Sequence, residues 1–190
     1  MIYSFRRKYS APISPTSPSA RTLAARRIKY LLNLMRIIKY KDWEFTVDKV
    51  LTKKTYDKIE FGSSDICECI HCKNFAFNKE DNFPTEVKNL LNDLGIDFKK
   101  ECEAWHYYKD DLGRHCYSGW FHFKGKFKGK SLSAPTKDTS TSYDLTPITD
   151  NFSLGFLYDD SLTFFENNED LVQVEFDTKI NWRIDETESE

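Results

Sequence analysis

Cys67-Glu68-Cys69-Ile70-His71-Cys72 places three thiols and an imidazole within six consecutive residues. Thiolate is a soft ligand and imidazole a borderline one, and zinc takes four such donors in a tetrahedron. Cys67, Cys69 and Cys72 supply three of the four. His71 adjoins Cys72, which is awkward for a shared ion, so the fourth ligand is expected from elsewhere. His122, on the non-core face of a strand beside Trp120, is the first candidate and Cys102 the second. Against a metal stands the spacing. Closed structural zinc sites are commonly built from two paired C-x-x-C knuckles, and here a single compact cluster lacks a second half. The first reading of these cysteines is therefore small buried residues with no cofactor, and the second is a zinc site. A redox pair comes third, because no thioredoxin-like βαβ order surrounds the C-x-x-C.

Other chemistry is thinner. A nucleophile needs a neighbouring base, itself oriented by a third group. Cys102 with His106, or Cys116 with His115, are the pairs available. Successive strand residues point to opposite faces, which separates the second pair. Neither a phosphate-binding G-x-x-x-x-G-K-[ST] nor an H-E-x-x-H occurs. An enzyme of unknown reaction is the weakest of the three functional classes considered.

These side chains are positioned by an expected α+β fold: an antiparallel sheet of about five to seven strands with one main helix, about 84–94, packed on it. Val87, Leu90, Leu91 and Leu94 form an apolar stripe after Pro84, and Gly95 supplies the stop. Asp97 is placed to cap a second short helix through about Glu103. Trp43–Val47 alternates as a strand. Trp105–Lys109 and His115–Phe127 flank a Gly-containing loop and read as a hairpin. In its second arm Tyr117, Phe121, Phe123 and Phe127 are assigned to the core. Residues 129–151 form a Ser/Thr-rich connection. Strands are expected at 152–156, 162–165 and 172–176. The domain is bounded as 35–185, with a basic, disordered extension over 1–34 and an acidic, frayed tail over 186–190. Within the basic segment Ala24, Ile28, Leu31, Met35 and Ile38 recur at helical spacing, as in a membrane-surface or targeting helix. The favoured alternative is an extension upstream of a true start at Met35.

Charge is split sharply. Residues 1–41 carry ten Lys/Arg and no carboxylate, so residues 42–190 hold all 30 Asp/Glu against 18 Lys/Arg, a formal −12. A body that acidic repels phosphate backbones, which disfavours nucleic-acid binding by the main domain. No run approaches the roughly 18 apolar residues of a membrane span. Five cysteines without a secretory signal pattern predict a reducing compartment. Near the C-terminus, Glu166, Glu169, Asp170, Glu175 and Asp177 lie among Phe164, Phe165 and Trp182. Phe164, Glu166, Glu175, Asp177 and Trp182 are the candidates for an acidic, aromatic-studded sheet face that would steer and hold a basic protein partner.

Cys67-x-Cys69-x-x-Cys72-x-Asn74-Phe75, Leu94-Gly-Ile-Asp97, Gly119-Trp-Phe-His-Phe123-x-Gly125 and Leu171-Val-Gln-Val-Glu-Phe176 together resemble an uncharacterised family of small bacterial proteins with no assigned activity. The resemblance covers roughly Met35 to Asp185 and implies a bacterial, cytoplasmic protein. The leading expectation is a non-enzymatic interaction module, analogous to an immunity protein against a basic nuclease toxin. The alternative is a zinc-stabilised domain using the 67–72 cluster.

Overall fold

The computed structural model describes residues 35–132 and 144–188; the extension expected over 1–34 lies outside them. Seven strands form one antiparallel sheet: β1 Arg36–Tyr40, β2 Trp43–Val47, β3 Glu103–Lys109, β4 His115–Lys128, β5 Thr146–Thr149, β6 Phe152–Leu157 and β7 Leu171–Ile180. The order is β1-β2-β4-β7-β6-β5, with β3 also on β4. Four helices are described: α1 Lys49–Tyr56, α2 Ser63–Ile66, α3 Ile70–Asn82 and α4 Thr85–Leu94. The expected α+β class and antiparallel sheet hold. Three helices join the main one anticipated.

Long β4 organises the sheet. One edge pairs with β7 from His115 to Lys124, while the other pairs first with β3 and then, from Gly125, with β2. In the gap between β3 and β2, helix α1 substitutes for a strand. The Tyr56 hydroxyl accepts from His122 N (3.1 Å) and donates to His122 O (3.0 Å), and Thr52 Oγ1 accepts from Lys124 N (3.0 Å). These bonds satisfy β4 backbone groups that would otherwise be buried without partners.

Cross-strand register sets the faces. Tyr117, Gly119, Phe121 and Phe123 of β4 lie opposite Thr178, Phe176, Val174 and Val172 of β7, and Phe152, Leu154 and Phe156 of β6 continue the layer. All these positions are buried, Gly119 included though it has no side chain to contribute, and α3 and α4 supply Phe75, Val87, Leu90, Leu91 and Leu94 to the same core. The assignment of Tyr117, Phe121, Phe123 and Phe127 to the core is correct.

Helix α4 starts after Pro84 and ends at Gly95 (φ 89°), where a Cβ would meet Lys49 O at 2.7 Å. That close approach seats α4 against the start of α1.

Four local expectations are corrected. Arg36–Tyr40 is a strand paired with β2, so the helical spacing through Ile38 does not persist there; Tyr40 stacks on Trp43 instead. Gly62-Ser63-Ser64-Asp65 reads as a turn from its residue types, but Ser63–Ile66 is a short helix. Residues 97–100 make a turn, with Asp97 Oδ1 accepting from Lys99 N at 3.1 Å, and the chain then enters β3 without a second helix. Residues 162–165 form no strand. No described helix is long and apolar enough to cross a membrane.

Candidate metal centre

Helices α2 and α3 are held so that the cysteines converge. Glu101, which is buried, accepts through Oε1 from Ser64 N (2.8 Å) and Ser64 Oγ (2.6 Å). Its Oε2 lies 2.9 Å from Lys79 Nζ, off the ideal hydrogen-bond line but within ion-pair range. Lys79 also pairs with Asp65 at 2.8 Å and donates to Lys99 O at 2.9 Å. This staple ties α2, α3 and the segment before β3 together. Cys67 then ends α2, Cys69 caps α3, and Cys72 lies one turn into α3.

The Cys67, Cys69 and Cys72 sulfurs lie within 4.8 Å of one another and can hold a metal ion. Thiolates sharing a tetrahedral zinc sit about 3.8 Å apart, so small rotamer changes close the set. Cys67 and Cys69 are exposed and Cys72 is buried; all five cysteines are free thiols. Cys69 Sγ accepts from Cys72 N at 3.3 Å. Burial pushes the Cys69 thiol up. The amides of Cys72 and His71 and the thiols of Cys72 and Cys67 outweigh this and bring it below the ordinary thiol value. Cys72 is pushed well up, by burial and then by its hydrogen bonds to the other two. Ionisation of Cys69 is therefore eased, at the start of a helix where the positive end of the dipole lies.

His122 is not part of this cluster. Its side chain is fully buried with Nδ1 3.5 Å from Cys102 Sγ, on the strand segment bonded to α1. Burial pushes His122 down to about 4 and Cys102 up to about 12. That keeps both neutral, the opposite of an activated thiolate–imidazolium pair. Cys102 does not meet His106, and Cys116 and His115 do point to opposite faces of β4. A groove of about 620 Å³ beside Tyr107, Tyr108, Cys116, Asp177 and Lys179 has no imidazole in its lining.

The expected acidic face does not assemble. Glu175 is only 2% exposed, with Oε2 accepting from Gln173 Nε2 at 2.7 Å. Asp177 is half-buried two residues along. Phe164 packs edge-on to Tyr56, and Glu166 is exposed beside Lys58 at 3.7 Å. Trp182 lies elsewhere, against His71 and His115. Alternation along β7 places Gln173, Glu175 and Asp177 opposite the core face of Val172, Val174 and Phe176, where a wet face is expected, but that face of the sheet is itself largely covered.

Burial holds the Glu175 carboxyl up at about 7, with Asp177 and Asp159 adding to the rise and Gln173 and Ser118 opposing it. The folded state therefore keeps this proton to higher pH than the unfolded state does. Stability is greatest below the ordinary carboxylate value and falls as pH rises from about 4.5 to about 7. The loss is on the order of 2–3 kcal/mol. Glu175→Gln should be close to wild type at pH 4.5 and about 2 kcal/mol more stable at pH 8. Urea unfolding at the two pH values checks this; equal differences at both would contradict it.

Three further residues meet that sequence reasoning left apart. His71 at the start of α3, His106 on β3 and His115 on β4 place ligating nitrogens within 4.8 Å of one another. His71 stacks on His106 (centroids 4.1 Å apart, planes 4° apart), and His115 Nδ1 lies 3.1 Å from His106 Nε2. His106 lies opposite Tyr117 in the β3–β4 register and His115 lies two residues before Tyr117 on β4, so both rings fall on the helix side with Tyr117. Tyr117 holds His71 from below by donating to its carbonyl at 3.0 Å. Asn74 draws the 181–183 segment alongside by donating to Asn181 O and accepting from Arg183 N. Hairpin pairing was the available signal for His106 and His115.

Comparison with family models, with curated proteins and with solved structures finds no match.

Proposed function

We propose that the chain is a metal-binding protein whose Cys67, Cys69 and Cys72 hold a thiophilic divalent cation, zinc in the first instance, across the α2–α3 junction. The observation that carries this is the convergence of three free sulfurs, one of them buried, at the start of α3. Zinc suits a set of three thiolates, and its charge would stabilise all three at once, removing the mutual cost that keeps Cys72 protonated. The fourth position is left to solvent or to a ligand from another molecule, so the ion would stand at the surface beside exposed Cys67 and Cys69. Five free thiols are consistent with a reducing, cytoplasmic setting. The acidic-face reading loses support, because its central carboxylate is buried.

Cobalt substitution tests the proposal. Untagged protein titrated with Co(II) should develop an intense near-ultraviolet thiolate-to-cobalt charge-transfer band, displaced by zinc. Cys69→Ser and Cys72→Ser should each abolish most of it, while Cys116→Ser leaves it unchanged. A spectrum lacking that band in reduced wild-type protein would overturn the assignment.

A further inference from the structure

His71, His106 and His115 account for three of the four histidines in the chain, yet they come from three different elements and no function described so far uses them. We propose that these three imidazoles form a second, separate cation site, for a borderline divalent metal such as zinc, nickel or copper(II), with Glu188 as the carboxylate that orients His115.

Ligand spacing supports this directly. Two nitrogens on one tetrahedral ion with bonds of about 2.0–2.1 Å lie about 3.3 Å apart. The observed separation of His106 Nε2 from His115 Nδ1 is 3.1 Å. His115 is fully buried, and its outer nitrogen, Nε2, lies 3.3 Å from Glu188 Oε1. Metal-bound imidazoles typically give their second N–H to a carboxylate, and Glu188 is the carboxylate within reach of this one. The Nε2–Glu188 line is off the hydrogen-bond direction, so the nitrogen counts as unpartnered, as does the buried Nδ1 of His71. Leaving buried polar atoms unsatisfied costs about 1–3 kcal/mol each. The orphaned His71 Nδ1 is left for an entering ion to satisfy, and a small shift of the Glu188 carboxylate would pair His115 Nε2. The walls fit as well: Trp182 lies edge-on to His71 at 5.7 Å and tilted against His115 at 5.0 Å, shielding the rings from water.

Binding has one structural consequence. An ion in the plane of His106 cannot also lie in the plane of a parallel ring stacked 4.1 Å away. His71 must turn about its Cβ–Cγ bond when the metal enters, and the stack is exchanged for coordination. His71 stands between Cys69 and Cys72, so that movement occurs at the α3 turn that carries the thiols.

Equilibrium dialysis of the full reduced chain against zinc separates the two sites. Wild type should retain about two ions per chain, the maximum for two independent single-ion sites. The Cys67→Ser/Cys69→Ser/Cys72→Ser variant should retain one, and so should His106→Gln/His115→Gln. A wild type that binds one ion, lost only in the cysteine variant, would overturn the histidine site and leave the thiolate reading intact. One ion lost only in the histidine variant would uphold this site and sink the thiolate one. Glu188→Gln should weaken the histidine site about 10–100-fold without touching the other. Should the histidine variant fail to fold, long-range ¹H–¹⁵N spectra of unaltered protein decide. Zinc should lock the tautomers of His71, His106 and His115 and leave His122 unchanged, and spectra that do not respond to zinc would refute the site.

Discussion

Lys79→Met should cost about 3–5 kcal/mol of stability, the range found when one partner of a buried ion pair is removed. Lys79 and Glu101 have side-chain exposures of 6% and 1%, so solvent cannot replace the missing charge. Methionine fills similar volume, which isolates charge from packing. Glu101 would keep its bonds to Ser64 but lose its only counter-charge among the described residues, and Asp65 would lose its ion-pair partner as well. For a domain of this size the midpoint of thermal unfolding should fall by about 2–4 °C per kcal/mol. Combining Lys79→Met with Glu101→Gln should recover part of the loss, because the stranded charge is gone. A single-variant cost below about 1 kcal/mol would mean that Glu101 finds water or a proton instead. The staple bears on the thiols too. Ser64 sits three residues before Cys67, so the variant should also bind cobalt more weakly.

That staple illustrates which parts of the molecule the sequence made legible. Helix α4 was readable because its buried positions are Val87, Leu90, Leu91 and Leu94, and period and hydrophobicity coincide. Helix α3 buries an equally regular stripe, but fills it with Cys72, Asn74, Phe75, Asn78 and Lys79, while Phe77 faces solvent. Its helical period is carried by polar groups whose partners lie far along the chain: Tyr117, Arg183, Glu101. Hydropathy sees no face there. Strand β1 misled in the opposite sense, since Met35 and Ile38 continued a helical spacing that pairing with β2 overrides.

The candidate site divides along the same line. Three cysteines within six residues are a local signal, and the sequence displayed it. The fourth-ligand expectation at His122 failed because strand alternation gives a side chain's face, not its depth or its neighbours. His122 lies on the expected strand but is enclosed with Cys102. The histidine cluster depends on contacts between α3 and the hairpin, which no local period encodes. Only the relation of His106 to His115 across the Asp110–Gly113 loop was within reach.

Phe176→Ala should be the most damaging single truncation in the core, at about 3–5 kcal/mol, the usual range for emptying a buried phenylalanine site. The ring is fully buried. It stacks on Phe75 of α3 and on Phe152 of β6 at about 6 Å, with planes within 12° in both cases, and meets Phe83 and Phe121 at 5.3 and 5.5 Å. It also lies over Gly119, where a Cβ would approach the ring to 2.7 Å, so the glycine and the phenylalanine are shaped to each other. Phe75 is one turn beyond His71 and Cys72. Losing the ring beneath it loosens the part of α3 that presents both ligand sets. The variant should therefore unfold at lower urea with little change in m-value. Excess zinc should raise its stability by the increment given by its binding affinity, because an ion that binds only the folded chain shifts the equilibrium by mass action. A Phe176→Leu control, which refills much of the volume, should recover more than half the loss. Equal destabilisation by alanine and leucine would show that ring geometry, not filled volume, holds α3 on the sheet.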